Sequence, residues 1–198
     1  MKVIVDHNIM YGDMIYQHVH TFDNGDEVYL SKMAIPHREF DATNRNNYKV
    51  SDINQWLNSD EPAGEWFKKN EKGALTPSYY DAPGFLQTVS PSFLSRLKKT
   101  EYGYFFLPSY TELTGSPNNG VFEGEQWDAL KGENARGILK KVDVLDGKPV
   151  WWWTRSANAW NPAIVRGVDS VGDATGSLNC AANPSVGAVA ACIIPQNR

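Results

Sequence analysis

Apolar and polar positions alternate at Val3 and Val5 before the period loosens, and an apolar run from Glu27 to Ile35 follows until Pro36 stops it. Two strands are expected there, joined by a tight turn at Asp23-Asn24-Gly25-Asp26. Helical signals then take over. Ser51 or Asp52 can cap a segment carrying Ile53, Trp56 and Leu57; Pro62 to Lys69 reads as a second short helix; Ser90-Pro91 opens a third through Phe93 and Leu97. Glu101 to Leu107 is an aromatic strand ended by Pro108, and Ser109-Tyr110-Thr111-Glu112 forms a capping box that starts a brief helix. Beyond Gly147, strands are expected at Val150 to Trp153, around Ala163 to Val165, and within Gly187 to Ile194, separated by Gly, Asn, Ser and Asp. The pattern predicts helices in the first half beside a loop-rich antiparallel half, an α+β class. With no internal repeat and no linker, residues 1–198 are expected to form one domain.

A chain of 198 residues, 41% hydrophobic, is long enough to bury a sizeable core. The formal charge of −4 and the scattered Lys and Arg residues leave no basic footprint, so nucleic acid is not an expected partner. No apolar run approaches the roughly eighteen residues of a spanning helix, and Met1 to His7 lacks the apolar region of an export signal. Membrane insertion is not expected. Cys180 and Cys192 are the only cysteines, too few for a disulfide framework and wrongly spaced for a zinc or redox motif; they are expected to be free, with a single bridge as the alternative.

His18 and His20 stand two apart and would share one face of a strand, as two metal ligands could, but no third ligand is suitably spaced; surface histidines are the simpler reading. The carboxylates are plentiful without any pair marked out for acid–base work. No G-x-S-x-G elbow, phosphate loop or cysteine–histidine signature is present, so catalysis is not expected. Asp169 and Asp173 do not make a calcium cage, and no cofactor or metal is expected. In the run Trp151-Trp152-Trp153, strand geometry turns the middle ring away from its neighbours, so at least one ring belongs to the core. Trp160, set among Asn and Ala, is the better candidate for an exposed contact.

Composition changes abruptly at Thr154. Lys, Glu, Gln and Met make up about a fifth of the preceding chain, so about eight would be expected between Thr154 and Pro195 at ordinary usage; there are none. Randomised adenines in Asn codons would not produce Lys, Glu, Gln, Met or Trp, a set that includes the four missing residues. The alternative is a buried, turn-rich sheet with little use for long polar side chains.

The segment Trp152-Trp153-Thr154-Arg155-Ser156-Ala157, followed by Ala163-Ile164-Val165, Val168-Asp169 and a closing Gly187 to Ile194, resembles a bacterial and phage family of uncharacterised domains that end in WWLRSP and GVRPAL motifs. Ser51 to Ser59, Gly84-Phe85-Leu86 and Phe106 to Leu113 match earlier motifs of that family in order. Ala157, Ser170 and the pair Val189-Ala190 depart from it. Similar C-terminal ends occur in the C-type-lectin-like variable proteins of diversity-generating retroelements. That resemblance implies a C-type-lectin-like fold in which 1–153 is scaffold and 154–195 a variable surface, on a phage virion or bacterial cell surface, with a homo-oligomer possible. Trp152, Trp153, Arg155 and Gly187 would hold the fold. The implied contacts to a protein or glycan receptor on a target cell are Asn158, Ala159, Trp160, Asn161, Arg166, Ser170, Asp173, Thr175, Ser177, Asn179, Ala181 and Asn183. Two other readings stay open: a formylglycine-generating-enzyme-like oxidoreductase, which shares the fold but uses a paired-cysteine motif absent here, and a structural virion or surface domain. Exposure of the polar residues from Asn158 to Asn183 discriminates between recognition and a structural role.

Overall fold

The computed structural model describes residues 4–5, 8–11, 14–69, 73–176 and 178–196; Val3 lies outside them. In chain order the strands are β1 (Ile4–Val5), β2 (Asn8–Tyr11), β3 (Met14–Thr21), β4 (Glu27–Ser31), β5 (Met33–Ala34), β6 (Phe105–Phe106), β7 (Val142–Asp143), β8 (Trp152–Ala157), β9 (Ile164–Val168), β10 (Leu178–Cys180) and β11 (Ala191–Ile194). Four short α-helices accompany them: α1 (Asp52–Leu57), α2 (Pro91–Leu94), α3 (Tyr110–Thr114) and α4 (Ala135–Leu139). One sheet has the order β1-β2-β3-β4-β11-β6, antiparallel throughout; a second has the order β10-β9-β8, also antiparallel; β5 and β7 form a small parallel pair. The fold is therefore a mixture of small helices and largely antiparallel sheets.

The helices do not gather in the first half. Single-turn 3-10 segments at Tyr48–Val50, Phe85–Thr88 and Asp128–Leu130, together with α3 and α4, spread helical turns from residue 48 to 139. Pro62 to Lys69 forms turns instead of a helix: Gly64 adopts φ +79°, and Trp66 is drawn into the core, where Nε1 donates to the Ala82 carbonyl at 2.9 Å. The aromatic strand shrinks to β6 because Thr100 and Gly103 close a tight turn, and the Asn58 side chain takes up the carbonyls of Tyr102 and Phe105 at 2.9 and 2.8 Å. The cap residues, in contrast, act where the sequence places them. Ser51 and Ser90 accept from the backbone of Asn54 and Phe93, and Ser109 and Glu112 form the reciprocal box at the start of α3.

Residue 30 pairs with residue 191, so the central neighbours of the large sheet come from opposite parts of the chain. The core joins both sheets, from Tyr16 and Val28 on one through Phe40, Trp56 and Phe105 to Trp152, Trp153 and Val165 on the other. Trp152 and Trp153 are both 0% exposed although they point to opposite faces of β8, because each face is covered. Trp152 Nε1 donates to Leu139 O of α4 at 2.9 Å, and Trp153 Nε1 to Arg38 O at 2.6 Å. Gly187 bonds the backbone of both Trp151 and Trp153. His20 is not a surface histidine. A register irregularity between His18 and His20 turns His20 inward, where it is 3% exposed and contacts Asp128 at 2.9 Å. Among the described residues no three His, Cys, Asp or Glu side chains gather to hold a metal, and no helix is long and apolar enough to cross a membrane.

Candidate functional site

The loop from β8 to β9 is built by asparagines. Asn158 Oδ1 accepts from the backbone of Trp160 and Asn161, both at 2.9 Å, and Asn161 Oδ1 accepts from Ala163 at 2.9 Å. From the other side Asn46 Nδ2 donates to the carbonyls of Asn158, Asn161 and Ile164 at 2.9 to 3.0 Å. A loop with its own turns and an external brace has few conformations, yet its tip is open: Trp160 is 86% exposed. Ala159 and Asn161 are exposed and Asn158 is half-buried.

The same end of the sheet receives the chain after β10. Asn44 Oδ1 accepts from Cys180 Sγ at 2.9 Å and from Ala182 N at 3.2 Å, and Asn183 Nδ2 donates to Asn179 Oδ1 at 2.9 Å. Asn179 and Asn183 are half-buried beside this network. Ala181 is a correction. It is 0% exposed, with its N bonded to Ala163 O and its O to Phe40 N, so its side chain faces the core and touches no ligand.

Ser170, Asp173 and Thr175 fall at the opposite end of the hairpin, in the turn between β9 and β10. Here Asp169 Oδ1 accepts from Val171 and Asp173, while Asp173 accepts from Thr175 and, at 3.2 Å, from Arg136. Hydrogen bonds from Thr175, with the Arg136 charge adding to them, hold the Asp173 carboxyl below the usual carboxylate range. Both carboxylates are thus occupied in shaping the turn. Ser177 lies outside the described residues. The expected contact set is therefore two groups separated by the length of β9, with Arg166 between them.

Arg166 is fixed from two sides. Its guanidinium lies 4.3 Å from the Tyr110 ring centre, and Nε donates to Asn118 Oδ1 at 2.7 Å. Asn118 also donates to Ala157 O at 2.9 Å and thereby ties a tight turn to the edge of the sheet. Asn119 (φ 51°) and Gly120 (φ 84°) are both left-handed, as this two-residue hairpin requires. The turn presents Val121 and Phe122, 62% and 64% exposed, and Leu178 stands exposed directly opposite Arg166 on β10. Of the nine large apolar side chains exposed among the described residues, five (Val121, Phe122, Trp160, Val171 and Leu178) belong to the hairpin or to the turn tied to it.

Val121, Phe122, Leu178 and the braces Asn44, Asn46 and Asn118 were not legible as site residues in the sequence. The only available signal is the polar run Asn44-Arg45-Asn46-Asn47, and it does not say which carbonyls it meets. Cys180 is exposed on the small sheet and Cys192 is buried in the large one; both are free. Burial pushes the Cys192 thiol well up, so it is an inert core group. Replacing Asn46 with alanine is expected to cost about 1–3 kcal/mol through three carbonyls losing a donor, and to speed amide exchange at Asn158 and Ile164. Unchanged exchange at both amides would remove Asn46 from the role of brace.

No curated protein and no solved structure matches the chain. The family model described as a domain of unknown function, DUF6273, matches residues 25–195, a span that holds β4 to β11 and the whole candidate surface, and the chain belongs to that family.

Proposed function

We propose that this protein is a noncatalytic binding module with a C-type-lectin-like fold. Its hairpin from Thr154 onward contacts a protein or glycan receptor of a target cell, on a phage virion or bacterial surface. The observation that carries the reading is Trp160: a large indole, 86% exposed, on a loop whose backbone is hydrogen-bonded by the side chains of Asn46, as donor, and of Asn158 and Asn161, as acceptors. A rigid aromatic loses little entropy on binding and supplies contact area, and such residues dominate interface energies. The exposed small polar residues around it suit adaptable hydrogen bonding, and most of the segment's variable-looking positions are at least partly open to solvent. The pairing of β11 with β4, and a separate small sheet carrying the loops, agree with a lectin-like arrangement. The diversification reading rests on the codon argument and is tested by looking near the gene for a repeat of the codons of Thr154 to Pro195 that differs only at adenines.

The binding test compares the chain with Trp160→Ala on a printed glycan array and on a panel of intact bacterial cells. The expected result is retention by the parent chain and at least a tenfold loss in the variant, at unchanged thermal midpoint. Equal retention of both, or retention of neither, overturns the proposal.

A further inference from the structure

A cavity lies away from the hairpin tip, between the turn from β3 to β4 and the segment from Lys98 to Phe106. It encloses about 650 Å³, within the range of small-molecule sites. Its floor is apolar: Val28, Phe106, Trp127 and Ile193 are each less than 10% exposed. Its polar wall is largely self-satisfied. Asp26 is held by Lys98 at 2.6 Å, Glu112 by Arg155 at 2.7 Å through both oxygens, and Glu101 by Lys49 at 2.6 Å.

Two carboxylates at the mouth are different. Asp23 is exposed, with no hydrogen-bond or ion-pair partner among the described residues. Glu125 faces the His20 imidazole at 3.4 Å, while nearby Lys131 is taken by Asp128 at 2.7 Å. Phe22 lines the same cavity, and its ring meets His20 edge-on at 4.8 Å. An apolar chamber with exposed carboxylates at its entrance favours a ligand that is greasy at one end and positive at the other. An anion would meet repulsion at the mouth and find both basic groups of the lining, Lys98 and Arg155, already engaged.

We infer that this cavity binds an organic cation with an apolar body, an ammonium or guanidinium group seated between Asp23 and Glu125 with its hydrocarbon part on the floor of Val28, Phe106 and Trp127. The same chemistry is offered by a free arylalkylamine and by a basic side chain next to an aromatic one in a peptide.

Titrations followed by amide chemical shifts test it with three probes: phenethylammonium, 3-phenylpropionate, and the capped dipeptide Phe-Lys. Phenethylammonium or Phe-Lys should shift residues around Asp23, Val28 and Glu125, the phenylpropionate should not, and the tighter cation identifies the source. The double variant Asp23→Asn, Glu125→Gln, at exposed positions, should weaken the cation at least tenfold, whereas Trp160→Ala should leave it unchanged. Three outcomes overturn the inference: no cation shifting these residues at millimolar concentration, equal binding of cation and anion, or unaltered affinity in the double variant.

Discussion

Glu112→Gln should lower stability by about 3–5 kcal/mol, because it strands the Arg155 guanidinium in the interior without its counter-charge. Arg155 and Glu112 expose only 10% and 11% of their side chains. Arg155 also donates to Leu107 O at 2.8 Å and lies over the rings of Tyr102 and Phe106. Burial pulls the Arg155 pKa down, but the Glu112 charge and hydrogen bonds, with smaller help from Tyr102 and Tyr48, carry it above its ordinary value. Without Glu112 burial pulls that pKa down, but a guanidinium starts so far above neutrality that it stays charged at neutral pH. Glutamine can still accept from Ser109 N, as Glu112 does at 2.7 Å, so the change isolates charge from capping. For a chain of this size the loss corresponds to roughly 10 °C in thermal midpoint. Replacing both residues with methionine should recover most of it, since the burial cost and the attraction vanish together. A single variant within about 1 kcal/mol of the parent in urea unfolding, the usual worth of a surface pair, would show the pair to be solvated in practice.

Lys141→Met is expected to stabilise the fold, by up to about 5 kcal/mol below neutral pH. Lys141 is 1% exposed and makes no ion pair among the described residues; burial, with the nearby charge of Lys32 adding to it, pushes its pKa from 10.5 down to about 7. The unfolded chain therefore holds a proton that the folded chain releases between about pH 7 and 10.5, and stability rises with pH across that window. Below pH 7 both states are protonated and the full burial penalty remains. Asp52 works in the opposite sense: burial, with Asp41 and Glu39 adding negative charge, raises its pKa to about 7, so its contribution is lost as pH rises from about 4 to 7. The two together place a dip in stability near neutrality. Urea unfolding at pH 6.5 and pH 10 checks this, since the gap between parent and Lys141→Met should shrink markedly at the higher pH. A gap independent of pH would mean that the ammonium reaches water.

Local signals were readable and long-range ones were not. Ser51, Ser90 and Ser109 announce helix starts because a cap and its partner lie three residues apart. Trp160 was legible as exposed because its neighbours are small and polar. Asn46 braces a loop more than a hundred positions away, and Asn118 meets Arg166 across 48 positions, so no short window of sequence contains both partners. Ala181 and Thr175 look alike as small residues in a polar stretch, and only the long-range bond that Phe40 N donates to Ala181 O tells which one is buried. His18 and His20 misled for a related reason: strict alternation ignores a bulge, and one extra residue reverses which ring faces the core.

The neighbour relation between residues 30 and 191 has a kinetic meaning. Until β11 arrives, β4 offers an open edge with Val28 and Leu30 uncovered, and closing so long a loop is slow compared with forming the helices or the β3–β4 hairpin. The vulnerable species during folding is then a half-sheet with a free apolar edge, the kind that pairs with another chain. The whole hairpin from β8 to β10 lies within that loop. Variants that delay docking of the last strand should therefore be lost from cells as aggregates before they reach the folded state.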